Sequence, residues 1–390
     1  MTTSPIPIAT FDASDQDVRT AVTLPPAAYT SPEFFEFEKD AVFYREWLCI
    51  GRAEQVPEPG DYLGLEIVGE PIVMVRDHDG DVAVFSSVCR HRNVVIVEGE
   101  GNCGRNLRCP YHWWTYGLDG KLRGAPEMQQ TEGFDKEEIA LPRIKTEIWN
   151  GFVFINFDND AAPLAPRLRK FDALLANYHA SELVTSPQFH YDMPWNWKIM
   201  LENGTEHYHA VFLHSKFIVR GSEDSSVPPW EGENDSAIIS IVPVPVPDLG
   251  LSPHGGTYWP PIPTLTEEER KRFVFSAVPP NLHIGLQGDL MFWFMLLPVA
   301  PDRTLVRWAY CVPKDVIERP QFDSILELVH RGVENFNDED FPINASMQRG
   351  LRSRLAGRGR MSVEEETAAH VARWVIQRYR AEDARAATAL

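Results

Sequence analysis

Long apolar runs are missing from this chain. No stretch of its 390 residues approaches the ~20 apolar residues that a membrane-spanning helix needs. Basic residues are also few: Lys and Arg number 37 against 56 Asp and Glu, a net charge of −19, which makes nucleic acid and anionic membrane surfaces poor partners. Cysteine is scarce and odd in number. Cys49, Cys89, Cys103, Cys109 and Cys311 do not read as a disulfide framework, and reduced thiols lead us to expect a cytoplasmic location. There is no charged-then-apolar leader, no internal repeat and no glycine-rich nucleotide fingerprint. What remains is a chain long enough for two domains, each with its own core.

Two of the five cysteines sit in matching loops. Cys89-Arg90-His91 is followed, after seventeen residues, by Cys109-Pro110-Tyr111-His112, so each loop offers one thiolate and one imidazole. Structural zinc draws its ligands as Cys-x2-4-Cys and His-x3-5-His pairs, whereas a Rieske [2Fe-2S] centre binds one iron through two Cys and the other through two His. Two Cys–His loops fit the second pattern, and a zinc knuckle is the competing reading of the same residues. Gly99, Gly101 and Gly104 are expected to loosen the intervening loop, and Gly117 and Gly120 to close the second. From Ser87 to Trp114 the segment resembles the cluster-binding loops of Rieske oxygenases, which implies that Cys89, His91, Cys109 and His112 hold the cluster.

Around these loops the pattern is β-rich: Tyr62–Ile67, Pro71–Arg76, Val82–Ser86 and Ile148–Phe157 read as strands, with Asp77-His78-Asp79-Gly80 as a hairpin turn. Before them, residues 1–28 read as an extended, weakly ordered lead-in. Ser31–Trp47 reads as an amphipathic helix that Ser31 and Pro32 start. The proline-rich stretch 161–166 marks a boundary. Beyond it we expect a strand at Gln188–Pro194, a helix at Trp197–His209, β structure at Ser236–Pro247 and a long loop at Ser252–Thr266. Four successive antiparallel strands follow between Phe273 and Val312, then helices at Gln321–Asn337 and Val363–Arg380. The fold class is α+β. The expected domains are 1–46 as a lead-in packed on the catalytic domain, 47–158 as a small all-β domain and 159–390 as the catalytic domain.

A second constellation lies at Glu202-Asn203-Gly204-Thr205-Glu206-His207-Tyr208-His209, with His214 five residues on, introduced by Asn196-Trp197-Lys198. It resembles the Rieske oxygenase pattern Glu-Asn-x-x-(Asp or Glu)-x-Tyr-His-x4-His. The resemblance runs from about Phe35 to Gly350, and it implies that His209 and His214 bind mononuclear non-haem iron. A downstream carboxylate before a Gln-x-Gly completes the triad. Asp340 before Gln348-Arg349-Gly350 is the choice, with Asp338 and Glu339 as alternative registers. By spacing alone His207 and His214, seven apart, share a helical face, whereas His209 and His214 require a bend. The family places the ligand after Tyr, hence His209. The resemblance further implies that Glu206 bonds His209 in its own chain and the cluster ligand His112 of a neighbouring subunit; Asn203, beside the iron helix, is a further catalytic and cavity-lining candidate. His78, His179, His190, His254, His283, His330 and His370 are isolated and read as surface or core residues.

The family implies a helix-grip (START-like) catalytic domain and a terminal oxygenase component in a homotrimer, with which a small β-subunit is compatible. Electrons come from a separate NAD(P)H-dependent reductase, directly or through a ferredoxin, and O2 and a small organic molecule are the substrates. The leading expectation is hydroxylation or dihydroxylation of an aromatic or heteroaromatic compound. The alternative is N-demethylation or hydroxylation of a quaternary ammonium compound, hinted at by Glu206 at the bridging position and an acidic, tryptophan-rich chain. A Rieske electron carrier or redox sensor is the non-enzymatic alternative, against which the 390-residue length and the His209/His214 motif count. Phe212, Phe217, Tyr258, Trp259, Phe292, Trp293 and Phe294 are candidate cavity aromatics.

Overall fold

Ser31 starts the first substantial helix as expected: its side chain accepts from the Phe34 amide and Pro32 occupies the first turn. The computed structural model describes residues 2–214, 225–232, 234–250 and 256–389. They form two compact units, Met1–Arg45 with Pro163–Leu390, and Glu46–Ala162. Phe217, His254 and the start of the expected 252–266 loop lie outside the described residues. At the N-terminus stand α1 (Ala27–Thr30) and α2 (Pro32–Glu38). The lead-in before them is packed rather than loose: Phe11 is buried and its ring meets Phe34 and Tyr379.

The second unit holds ten strands: β1 (Leu48–Arg52), β2 (Asp61–Ile67), β3 (Glu70–Arg76), β4 (Val82–Ser86), β5 (Gly99–Asn102), β6 (Asn106–Arg108), β7 (Thr115–Gly117), β8 (Leu122–Gly124), β9 (Lys145–Trp149) and β10 (Phe152–Asn156). They make three antiparallel sheets, ordered β1-β10-β9, β4-β3-β2-β5 and β6-β7-β8. Two expectations are corrected here. The run Ile148–Phe157 is a hairpin, because Asn150 and Gly151 both take positive φ in a tight turn between β9 and β10. The glycines at 99 and 101 belong to β5, where a Cβ on Gly101 would meet the Tyr62 hydroxyl at 2.9 Å, so glycine there lets the strand lie against β2.

The remainder of the first unit contains α3 (Arg169–Leu175), β11 (Val184–Thr185), β12 (Phe189–Met193), α4 (Trp197–Asn203), α5 (Ala210–Leu213), β13 (Ile238–Pro243), β14 (Arg272–Val278), β15 (Leu282–Leu286), β16 (Met291–Ala300), β17 (Arg303–Val312), α6 (Lys314–Ile317), α7 (Phe322–Leu351) and α8 (Glu366–Ala389). β13 to β17 form an antiparallel meander, and β11 and β12 both pair with β17. Alternation puts Phe292, Phe294, Trp308 and Tyr310 on one face of β16 and β17, paired 292 to 310 and 294 to 308. His330 of α7 packs on that face, 5.2 Å from the Trp308 ring.

A buried ionic knot fixes α4. The Lys198 ammonium lies 2.6 Å from Glu38, which also accepts from Tyr379 of α8 and from the Trp197 indole. Burial lowers the Lys198 pKa against the pull of Glu38. Gln348 of α7 adds a second tie: its side chain accepts from the Asn196 amide at 3.0 Å and donates to the Tyr29 carbonyl at 3.1 Å. The Asn196 and Gln348 motif residues therefore hold the start of α4 against the far end of α7.

Candidate metal centres

The expected helix Trp197–His209 stops early. α4 ends at Asn203, and the chain turns through Gly204 before the single turn of α5. A Cβ at Gly204 would sit 2.7 Å from the His283 ring and 3.1 Å from the Met200 carbonyl, so the tight exit depends on glycine. This break supplies the required bend: His209 and His214 flank α5, and their ring centroids come within 5.2 Å.

Asp340 reaches them from α7, which runs on past the expected end at Asn337 and carries Pro342 in its interior. Pro342 has no N–H for the Asp338 carbonyl, and Asp338 is exposed to water. His209, His214 and Asp340 converge, their ligand atoms all within 4.8 Å of one another. Asp340 Oδ1 is 3.6 Å from His209 Nε2 and 3.3 Å from His214 Nε2. Each imidazole is held from behind. Glu206 takes His209 Nδ1, and its other oxygen accepts from the His209 amide at 3.1 Å, while Glu339 takes His214 Nδ1 at 2.9 Å. With Nδ1 bonded to carboxylate, the Nε2 lone pairs of both rings face the common point. Burial alone would lower the pKa of His214, but Asp340 and Glu339 outweigh it and raise the net value, as an acidic pocket built for a cation should.

Asn203 completes the site. Its amide nitrogen lies 3.4 Å from both His209 Nε2 and Asp340 Oδ1, and buried Asn344 donates to its oxygen at 3.2 Å, so the NH2 end points at the ligands. The sequence singles out neither Asn344 nor the bond from Glu339 to His214 Nδ1. Asn344 lies one turn beyond Asp340 on α7, the only local signal for it. His207 turns elsewhere, to Ser225 and Ser240, with Glu364 3.4 Å away. Two histidine nitrogens and one carboxylate are the donor set suited to non-haem iron.

In the other unit the two loops adopt the same turn. The amide of the residue four beyond each cysteine returns to the cysteine carbonyl, Asn93 to Cys89 at 3.0 Å and Trp113 to Cys109 at 3.1 Å, and both residues have φ near +60°. Cys89 and Cys109 are buried side by side, and burial first, then Cys89, raises the Cys109 pKa. His91 and His112 are exposed, with ring centroids 4.7 Å apart. One pair of sulfurs and one pair of imidazoles is the donor set of a two-iron Rieske cluster rather than of a single zinc ion. The Tyr116 hydroxyl, 3.4 Å from Cys89 Sγ, adds a bond to the sulfur side.

A small cavity is lined by Tyr258, Gln287, Phe292, Tyr310, Val329 and Val333 among others. Val329, Val333, Phe336 and Asp340 follow one stripe of α7, and Phe336 packs 5.1 Å from the His214 ring, so the cavity wall and Asp340 share a helix face. Of the candidate aromatics, Tyr258 and Phe292 line this cavity. Trp259, Trp293 and Phe294 are buried, and Phe212 is 71% exposed. Tyr310 was missed; its cross-strand pairing with Phe292 was the signal.

Comparison with known proteins agrees with this geometry. Residues 46–141 match the Rieske [2Fe-2S] domain and residues 180–381 the catalytic domain of the ring-hydroxylating alpha subunit. The carnitine monooxygenase oxygenase subunit of Acinetobacter pittii (strain PHEA-2) is 30% identical over 89% of this chain and 90% of its own length. The glycine betaine monooxygenase oxygenase subunit of Chromohalobacter salexigens is 26% identical over 85% of this chain and 80% of its own. The solved structure of the quaternary ammonium Rieske monooxygenase CntA with γ-butyrobetaine superposes with a TM-score of 0.78 at 26% identity, covering 97% of this chain and all of that one. Naphthalene 1,2-dioxygenase from Rhodococcus sp., at 20% identity and a TM-score of 0.77, shares the fold. The chain belongs to the ring-hydroxylating alpha subunit family and is the terminal oxygenase component of a Rieske system, with a [2Fe-2S] cluster and mononuclear iron as its cofactors.

Proposed function

We propose that this oxygenase oxidises a quaternary ammonium compound at or beside an N-methyl group, with electrons from a separate reductase. The observation that carries this reading is the near-full-length similarity to a carnitine monooxygenase oxygenase subunit. It favours the alternative of the sequence reading over the aromatic substrate expected first. Asp340, Glu339 and Glu206 give the iron end a negative potential that suits a trimethylammonium head, which leaves the cavity at Tyr258, Phe292 and Tyr310 for the other end of the substrate chain.

The cluster supplies single electrons and the iron activates dioxygen. His209, His214 and Asp340 would hold the iron, and Cys89, His91, Cys109 and His112 the cluster. Glu206 and Glu339 hold the imidazoles in one tautomer. Asn344 fixes Asn203 so that its NH2 faces His209 and Asp340. Val329, Val333 and Phe336 keep water from the stripe between cavity and ligands.

His91 and His112 are exposed beside Tyr111 and Trp113, and Glu206 lies beside exposed Tyr208, features that suit transfer between neighbouring subunits of a trimer. A solved quaternary ammonium Rieske monooxygenase structure gives insights into inter-subunit electron transfer in that protein. The direct test feeds the purified enzyme a surrogate reductase and offers carnitine, γ-butyrobetaine, glycine betaine, choline and a set of aromatic acids and phenols. Oxygen-dependent consumption of at least one quaternary ammonium compound is expected. Turnover confined to the aromatic set refutes the reading.

A further inference from the structure

Five tyrosines are buried in the described structure, and four of them have polar partners. Tyr29 donates to Glu202, Tyr178 to the Gln287 carbonyl and Tyr379 to Glu38, while Tyr116 accepts from the Arg90 amide beside Cys89. Tyr310 is the exception. Its side chain is fully buried, yet among the described residues its hydroxyl has no hydrogen-bond partner. A buried donor left unsatisfied is costly, and of the buried side-chain polar atoms without a partner among the described residues this is the one that lines the cavity. Rings of Phe189, Trp308 and Trp259 surround Tyr310 and hold it in place. Gln287, the other polar residue of the wall apart from Tyr258, has its amide nitrogen committed to Asp289 at 2.6 Å.

We propose that the Tyr310 hydroxyl is a substrate-binding group that donates a hydrogen bond to an oxygen acceptor on the tail of the quaternary ammonium substrate. This rests on the function proposed above and deepens it. Val333, in the cavity wall with Tyr310, stands seven residues before Asp340 on α7, about 10 Å along the helix. A substrate with its N-methyl group at the iron would therefore direct the other end of its chain towards Tyr310. Burial, followed by the charges of Tyr191 and Glu334, pushes Tyr310 ionisation well above its ordinary range, so the group remains a donor at neutral pH. The acceptor is a carboxylate or a hydroxyl, and the two are separable by experiment.

The test compares wild type with Tyr310→Phe in the reconstituted enzyme. The probes are γ-butyrobetaine, its alcohol analogue 4-hydroxybutyl-trimethylammonium, and butyltrimethylammonium, which has no oxygen. Loss of the hydroxyl should raise KM about three- to tenfold for an oxygen-bearing probe and leave butyltrimethylammonium unchanged, with kcat little altered. Whichever oxygen-bearing probe loses most identifies the acceptor. Thermal unfolding gives a second readout. Without ligand the variant should melt no lower than wild type, because no bond is lost, while the stabilisation given by the oxygen-bearing probe should shrink. An equal KM change for all three probes, or a lower melting point without ligand, overturns the proposal and leaves the proposed function standing. If wild type oxidises no quaternary ammonium compound, the proposed function falls and this inference with it.

Discussion

Glu339 belongs to one of the two histidine–carboxylate pairs of the candidate iron site, Glu206–His209 and Glu339–His214, and its replacement separates a ligand from a group that only orients one. Its carboxylate bonds His214 Nδ1 at 2.9 Å, whereas Asp340 Oδ1 faces His214 Nε2 at 3.3 Å and His209 Nε2 at 3.6 Å. One imidazole cannot present both nitrogens to the same metal, so Glu339 acts from behind the ring. Glu339→Gln keeps an acceptor but loses the charge, and iron affinity should fall about tenfold. Glu339→Ala removes the bond, and the loss should approach a hundredfold, or ~1.4 to 2.7 kcal/mol for the pair of variants. Asp340→Ala removes a ligand and should abolish mononuclear iron binding. The assay strips the mononuclear iron anaerobically, returns Fe(II) against a competing chelator and follows cluster absorption as an internal control, which should not change. Iron retained in Asp340→Ala but lost in Glu339→Gln would make Glu339 the ligand and refute the assignment.

The cluster, the α4 knot and the buried histidines yield three further expectations. The Tyr116 hydroxyl accepts from the Arg90 amide at 3.0 Å and so has its proton available for Cys89 Sγ; Tyr116→Phe should lower the cluster potential by about 40 mV, the equivalent of ~1 kcal/mol in a one-electron couple, and an unchanged voltammetric midpoint would contradict this. Lys198→Met leaves Glu38 buried without its counter-ion and should cost about 3–5 kcal/mol in denaturant unfolding, much of it recovered in Glu38→Met/Lys198→Met; a double variant as weak as the single one would refute the pairing argument. His283 and His370 are buried with their pKa values pushed down to about 4, mainly by desolvation. Between pH ~6.5 and ~4 the unfolded chain binds protons that the native state refuses, so stability should fall as pH drops through that window, by up to ~1.4 kcal/mol per unit for each group. Urea midpoints at pH 7 and pH 5 measure the effect, and His370→Phe should flatten the slope; an identical slope in that variant would remove His370 from the account.

Much of the iron site was legible because its chemistry is local. Cys-x-His and Cys-x2-His, and a Tyr-His-x4-His run, fix ligand type and approximate placement within a few residues of one another, and the short loops that carry them have few ways to fold. The individual strands were legible for a similar reason, since alternation and Gly or Asn-Gly turns act over short distances. The hairpin at Asn150-Gly151 shows how the same signal can be passed over when a run is read for hydrophobicity alone. Pro342 obscured the end of α7, because proline ordinarily breaks a helix, and here exposed Asp338 leaves its freed carbonyl to water.

By itself, then, the sequence determined the two metal-binding motifs, the α+β class and the net charge of −19. The tertiary structure alone decided which of Asp338, Glu339 and Asp340 faces the histidines, because a shift of one residue rotates a helical side chain by about 100° and only packing fixes that angle. It also decided that Asn344 orients Asn203 from 141 residues away, and that Tyr310 and Phe292 share a cavity with the helix that bears Asp340. Distances between residues so far apart in the chain depend on sheet register and on how α7 seats against the sheet, and no local pattern encodes them.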